Sequence, residues 1–118
     1  MSTTILPTPS DLTITPRDRK FERGKLHARL WHGGRVEATA IYNALSTTFP
    51  VGEAFFVESV RAFRDGAPPK LASEIKGFTT QEAIHSREHA AFNRRAADSG
   101  YDLAKMLSHA DKMLYRAK

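Results

Sequence analysis

PKLASEIKGFTTQEAIHSREHAAFNRRAADS, residues 69–99, reads as one long helix whose apolar stripe is interrupted by polar side chains. At about 100° per residue, Leu71, Ile75, Phe78, Glu82, His85, His89, Phe92 and Ala96 share an arc of roughly 100°, the width of a core-facing helix stripe. Glu82, His85 and His89 therefore sit where a helix meets its core. An unpaired buried carboxylate costs on the order of several kcal/mol even after relaxation, so a compensating partner is expected there, and a metal ion is one. Glu82-x-x-His85 is the i, i+3 spacing by which carboxylate bundles direct two ligands into one core. His89 lies one turn further on, whereas Glu88, about 120° round from Glu82, is expected to face solvent.

A rival reading starts a shorter helix at Thr79-x-x-Glu82, a capping box in which Glu82 would satisfy backbone amides, with Gly77 in the turn before it. The shared phase of Leu71, Ile75 and Phe78 with His85, His89 and Phe92 favours the single helix, since two independent helices would match only by chance.

Upstream, a second helical pattern runs from Val36 to about Asp65, where Gly66 and Pro68-Pro69 stop it. Tyr42, Ser46, Phe49, Phe56, Val57 and Val60 lie within about 60° of Glu53 on its wheel, which places Glu53 on the buried stripe. Glu58, about 140° away, is read as exposed, with Arg61 as its i+3 partner. Pro50 removes a ladder donor and predicts a kink or a restart, although the stripe keeps its phase across it.

Residues 1–35 read as an extended basic arm and residues 36–118 as a helical metal-binding half-domain. The Thr and Pro residues of positions 1–20 leave no helical period. Trp31-His32-Gly33-Gly34 closes the arm as a turn in which the glycines are free to take positive φ, and His32 is read as a loop histidine rather than a ligand. At the other end, Ser99-Gly100 stops the long helix. Leu103, Met106, Leu107, Ala110 and Leu114 then trace a short C-terminal helix with His109 on its surface.

Composition narrows the chemistry. The 118 residues suit one domain, and 18 Lys and Arg against 13 Asp and Glu give a net charge of +5. Residues 17–35 are the most basic part, but no recognisable reader module accompanies the charge, so nucleic-acid binding is not expected. With no cysteine, disulfides, thiol nucleophiles and iron–sulfur ligation are excluded, leaving Glu, Asp and His as the strong metal ligands. No apolar run approaches the roughly 18 residues of a membrane span, and the first ten residues lack the basic start and apolar run of a secretory signal. A cytoplasmic location is expected.

Trp31-His32-Gly33-Gly34, Tyr42-Asn43-Ala44-Leu45-Ser46, Phe49-Pro50-x-Gly52-Glu53-x-Phe55-Phe56, Ser59-Val60-Arg61 and Gly77-Phe78-x-x-Gln81-Glu82-x-x-His85-Ser86-Arg87-Glu88-His89-x-x-Phe92-Asn93 together resemble the bacterial family of predicted metal-dependent hydrolases. The likeness covers roughly residues 25–102. It implies a bound transition metal and hydrolase activity, with Glu53, Glu82, His85 and His89 as the metal ligands. Members are longer, with further helices after the part seen here.

The expectations are these. The chain is all-α, with two long antiparallel helices forming half of a ferritin-like four-helix bundle, an extended N-terminal arm and a short C-terminal helix. Glu53, Glu82, His85 and His89 hold iron, manganese or zinc, and metal-bound water attacks an unknown small-molecule substrate. A di-iron or di-manganese ferritin-like oxidoreductase would use the same ligand types, and a non-catalytic helical fragment or interaction module would leave Glu82 and His85 as a structural ion pair. A complete carboxylate bundle draws ligands from four helices, so the chain is expected to form a homodimer or to lack a C-terminal half.

Overall fold

Two antiparallel helices, α1 (Val36–Arg61) and α2 (Pro69–Asp98), pack against each other in this computed structural model, which describes residues 9–21, 29–105, 107, 108 and 112. Among those residues there is no strand, and the chain is all-α. Residues 104, 105, 107, 108 and 112 are helical, within the expected C-terminal helix, and Leu103 is buried at its start. Met106, His109, Ala110 and Leu114 of that expectation lie outside the described residues.

Both ends of α2 follow from local chemistry. Pro69 occupies the first turn, where its missing N–H removes no helix bond. At the other end Gly100 takes φ 89°. Its N–H donates to the Ala97 carbonyl (2.9 Å) and the Tyr101 N–H to the Ala96 carbonyl (3.3 Å), the paired closure that a left-handed glycine permits. Between these ends the helix runs unbroken through Gly77. Thr79 Oγ1 donates back to the Lys76 carbonyl (3.1 Å) instead of capping a new helix, so the capping-box reading is not the one adopted.

Gly77 has a different use. Residues 9–21 run alongside α2 in the same direction, tied by Lys70 Nζ to the Pro9 carbonyl, by the Arg17 N–H to Gln81 Oε1 (2.8 Å) and by Arg87 to Asp18 (2.6 Å). A methyl on Gly77 would stand 3.2 Å from both Cγ2 and the carbonyl oxygen of Ile14, tight enough to push on the arm's backbone. Downstream, Gly33 (φ 61°) and Gly34 (φ 75°) make the turn after Trp31 in the left-handed conformations that the sequence implied.

α1 ends at Arg61, one turn short of the expected Asp65. The following N–H groups bond three residues back, Phe63 to Val60 and Arg64 to Arg61, so the chain tightens and leaves the helix before Gly66 (φ 91°). Pro50 sits inside α1 without ending it. The helix buries a polar face, comprising Thr39, Asn43, Ser46, Thr47 and Glu53. Ile41, Tyr42, Leu45, Phe49 and Phe56 stay exposed. The expected stripe is thus half right: α2 covers the side of it that carries Ser46 and Glu53, and the side that carries Tyr42, Phe49 and Phe56 is uncovered. One neighbouring helix is too narrow to cover a stripe of that width.

Candidate metal centre

Glu53 comes from the middle of α1, and Glu82, His85 and His89 come from successive turns of α2. Antiparallel packing sets these segments side by side. Glu53 is 3% exposed, and its Oε1 lies 2.6 Å from His85 Nδ1. That approach is close but unaligned, and no donor stands in good hydrogen-bond geometry to either carboxylate oxygen, although the Ser86 hydroxyl is near enough to favour the charged form. His85 Nε2 faces His89 Nε2 at 3.0 Å. One ligand atom each from Glu53, His85 and His89 fall within 4.8 Å of one another. Glu82 stands at the edge of this cluster, its Oε2 3.9 Å from His85 Nδ1.

Burial lifts the Glu53 carboxyl above its ordinary range, opposed by the positive charge available on His85. Burial also depresses His89, and the neighbouring His85 depresses it further. Burial is the leading cause of both shifts, while His85 between them is the open member of the three, its side chain 49% exposed.

The orientation of His89 is set by a chain that begins at Pro50. With no N–H, Pro50 cannot bond the Ser46 carbonyl four residues back. Asn93 Nδ2 donates to that carbonyl from α2 (3.0 Å), which fixes the amide so that its Oδ1 accepts from Ser46 Oγ (2.8 Å). The Ser46 hydroxyl proton is thereby committed to Asn93. Ser46 Oγ then accepts from His89 Nδ1 at 2.8 Å, so the proton of His89 is on Nδ1 and Nε2 presents its lone pair to His85. Phe49 holds the same ring by stacking at 4.5 Å. Ligating histidines are held in this way, by a partner on the nitrogen that does not ligate.

The residues fit a metal ion on two counts. A buried carboxylate without an aligned donor and an imidazole nitrogen with a directed lone pair converge on one spot. Nitrogen and carboxylate oxygen also suit transition metals. Ser46 and Asn93 had been legible only as members of the stripe and of the family-like words. Their signal was the proline four residues after Ser46, which announces an orphaned carbonyl.

Beside the cluster opens a pocket of about 370 Å³. Trp31 is anchored there by Nε1 donating to Asn43 Oδ1 (2.9 Å), with Phe92 edge-on at 5.1 Å and Tyr42 at 6.1 Å. His32, read as a loop histidine, stacks on Tyr42 at 4.8 Å, outside the carboxylate–imidazole cluster. Glu58 is exposed, as expected. Glu88 departs from its expectation: its side chain is only 14% exposed, bonded by Arg87 and lining this pocket, because the arm covers that side of α2.

Fold and site together define an all-α protein with a carboxylate–imidazole cluster fit for a metal ion. Residues 15–118 match the family described as predicted metal-dependent hydrolase, and the chain belongs to that family. No curated protein and no solved structure matches it. Among the described residues, no helix is long and apolar enough to cross a membrane.

Proposed function

We propose that the protein is a transition-metal-dependent hydrolase in which Glu53, His85 and His89 hold the metal and Glu82 supplies a further carboxylate at its edge. The observation that carries this reading is the Glu53 carboxylate, buried without an aligned donor against two imidazole nitrogens that face each other at 3.0 Å. A bound iron, manganese or zinc ion would lower the pKa of water and polarise the substrate's electrophilic centre. The chain's own part is to hold the donors in register, to set the proton of His89 on Nδ1 through Ser46 and Asn93, and to shield the cluster with Phe49. Hydrolysis adds water across the substrate bond, hydroxide to the electrophile and a proton to the leaving group. Glu82, its side chain 19% exposed, needs no special role beyond ligation in this scheme.

A ferritin-like arrangement is also our proposal, motivated by Glu53 on one helix and Glu82-x-x-His85 on its neighbour, a pattern of oxygen-reactive carboxylate bundles as well. Family membership favours the hydrolytic reading over the redox one. A cytoplasmic location is consistent with the absence of cysteine.

The test is elemental analysis of untagged protein, as purified and after incubation with iron, manganese and zinc followed by desalting. The expected result is retained metal that Glu53→Gln, His85→Ala and His89→Ala each reduce. Only trace metal in the reconstituted protein would refute the proposal.

A further inference from the structure

His85 and His89 belong to two surroundings at once. On one side they face Glu53, and on the other they line the pocket of about 370 Å³. A molecule seated in that pocket lies directly beside the candidate metal centre. Its remaining wall is dominated by rings: Trp31, Tyr42 and Phe92, with Phe21 brought over by the arm. Trp31, Tyr42 and Phe92 are held against one another before any ligand arrives. Trp31 is pinned by its hydrogen bond to Asn43, and Phe92 and Tyr42 pack against its faces and edges. Such a wall favours apolar groups through area and ring contacts.

Aromatic cages also bind cations, so charge must discriminate. Glu88 and Arg95 both line the pocket, and their opposite charges leave it with no net preference for an ionic group. Its volume lies toward the small end for ligand pockets, suited to one ring or a medium-length chain rather than a polymer.

We infer that the substrate carries a neutral apolar group, a single aromatic ring or a medium-length acyl chain, that lodges among Trp31, Tyr42 and Phe92 and brings its hydrolysable bond to His85 and His89. This rests on the hydrolase reading for the bond but on the pocket alone for the group. Trp31, the chain's one tryptophan, makes its own emission the readout.

Benzyl alcohol and hexanamide are titrated into the 118-residue chain, with and without metal, beside glycerol and tetramethylammonium. The expected result is a saturable change in Trp31 emission with the first two probes only. Tyr42 is 48% exposed, so Tyr42→Ala should fold, and it should weaken that binding about tenfold, the loss of one ring wall, while Tyr42→Phe restores it. No saturable response to either neutral probe, tighter binding of tetramethylammonium, or an unchanged affinity in Tyr42→Ala would overturn the inference. Probe binding by protein that retains no metal would leave the pocket standing and remove the hydrolase reading, whereas metal retention without probe binding would do the reverse.

Discussion

Asn93 makes the hydrogen bond that Pro50 cannot: its Nδ2 donates at 3.0 Å to the Ser46 carbonyl that a prolyl nitrogen leaves without a partner. The ladder gap expected at Pro50 is in this way converted into a tie between α1 and α2, and the tie continues through Ser46 Oγ to His89. Asn93→Ala should leave the carbonyl unsatisfied, destabilising the protein by about 1–3 kcal/mol. It should also weaken metal binding by roughly 10–100-fold, the usual range for loss of a ligand's supporting partner. Pro50→Ala separates the two effects. It restores the helix bond and should raise thermal stability, while competing with Asn93 for the carbonyl and lowering metal affinity. Metal titrations followed by calorimetry check both variants, and an unaltered affinity in each would show that the tie does not position His89.

Glu53→Gln removes a buried carboxylate that lacks an aligned donor and keeps its shape. At neutral pH the metal-free variant should melt at the wild-type temperature or above it, because burial disfavours the charged form it replaces. Metal at a hundredfold excess over Kd should stabilise the wild type by about 2.7 kcal/mol. That corresponds to a rise of roughly 10 °C or more for a chain of this size, and the variant should show none of it. Thermal melts with and without zinc or manganese decide the matter.

The arm should loosen around Asp18 in acid. Hydrogen bonding by Arg87 holds the Asp18 carboxyl below its ordinary range, with the charges of Arg87 and Lys20 assisting. Because the folded value is the lower one, the contact contributes above the unfolded value and is lost as pH falls through the folded value. Protection of the Arg17 amide, which donates to Gln81, should therefore fall below about pH 4 by hydrogen exchange. In Asp18→Asn that protection should be reduced already at neutral pH and no longer follow the acid transition.

We propose that a second copy of the chain covers the open side of α1. Ile41, Leu45, Phe49 and Phe56 are each exposed on that side, whereas the buried apolar core among the described residues is only Ile75, Ala91, Ala96 and Leu103. No charged residue interrupts the exposed row between Ile41 and Phe56 on the helix wheel, and patches of this kind mark association surfaces. A two-fold axis would bring α1 against its mate and build four helices from two chains. Sedimentation velocity at micromolar concentration should report a dimer, and Leu45→Lys with Phe56→Lys should give a folded monomer. A wild-type monomer that folds and binds metal fully would contradict this assembly.

Much of this was legible along the chain because helix period is local. The common phase of Leu71, Phe78, His85 and Phe92 carried α2 through Gly77, and the wheel separated buried Glu53 from exposed Glu58. Spacing also placed His85 and His89 one turn apart on a single face. What periodicity leaves open is the rotation of one helix against another. That rotation was decided by contact: Thr39, Asn43, Ser46 and Thr47 are small enough to let α2 approach, so α1 turns its polar flank inward and leaves Tyr42, Phe49 and Phe56 outside. The tie from Asn93 to Ser46, the anchoring of Trp31 by Asn43, and the seat of Ile14 on Gly77 all join residues far apart in the chain. Each depends on a hydrogen bond or a steric fit between separate segments, which comes into being only when tertiary packing brings those segments together.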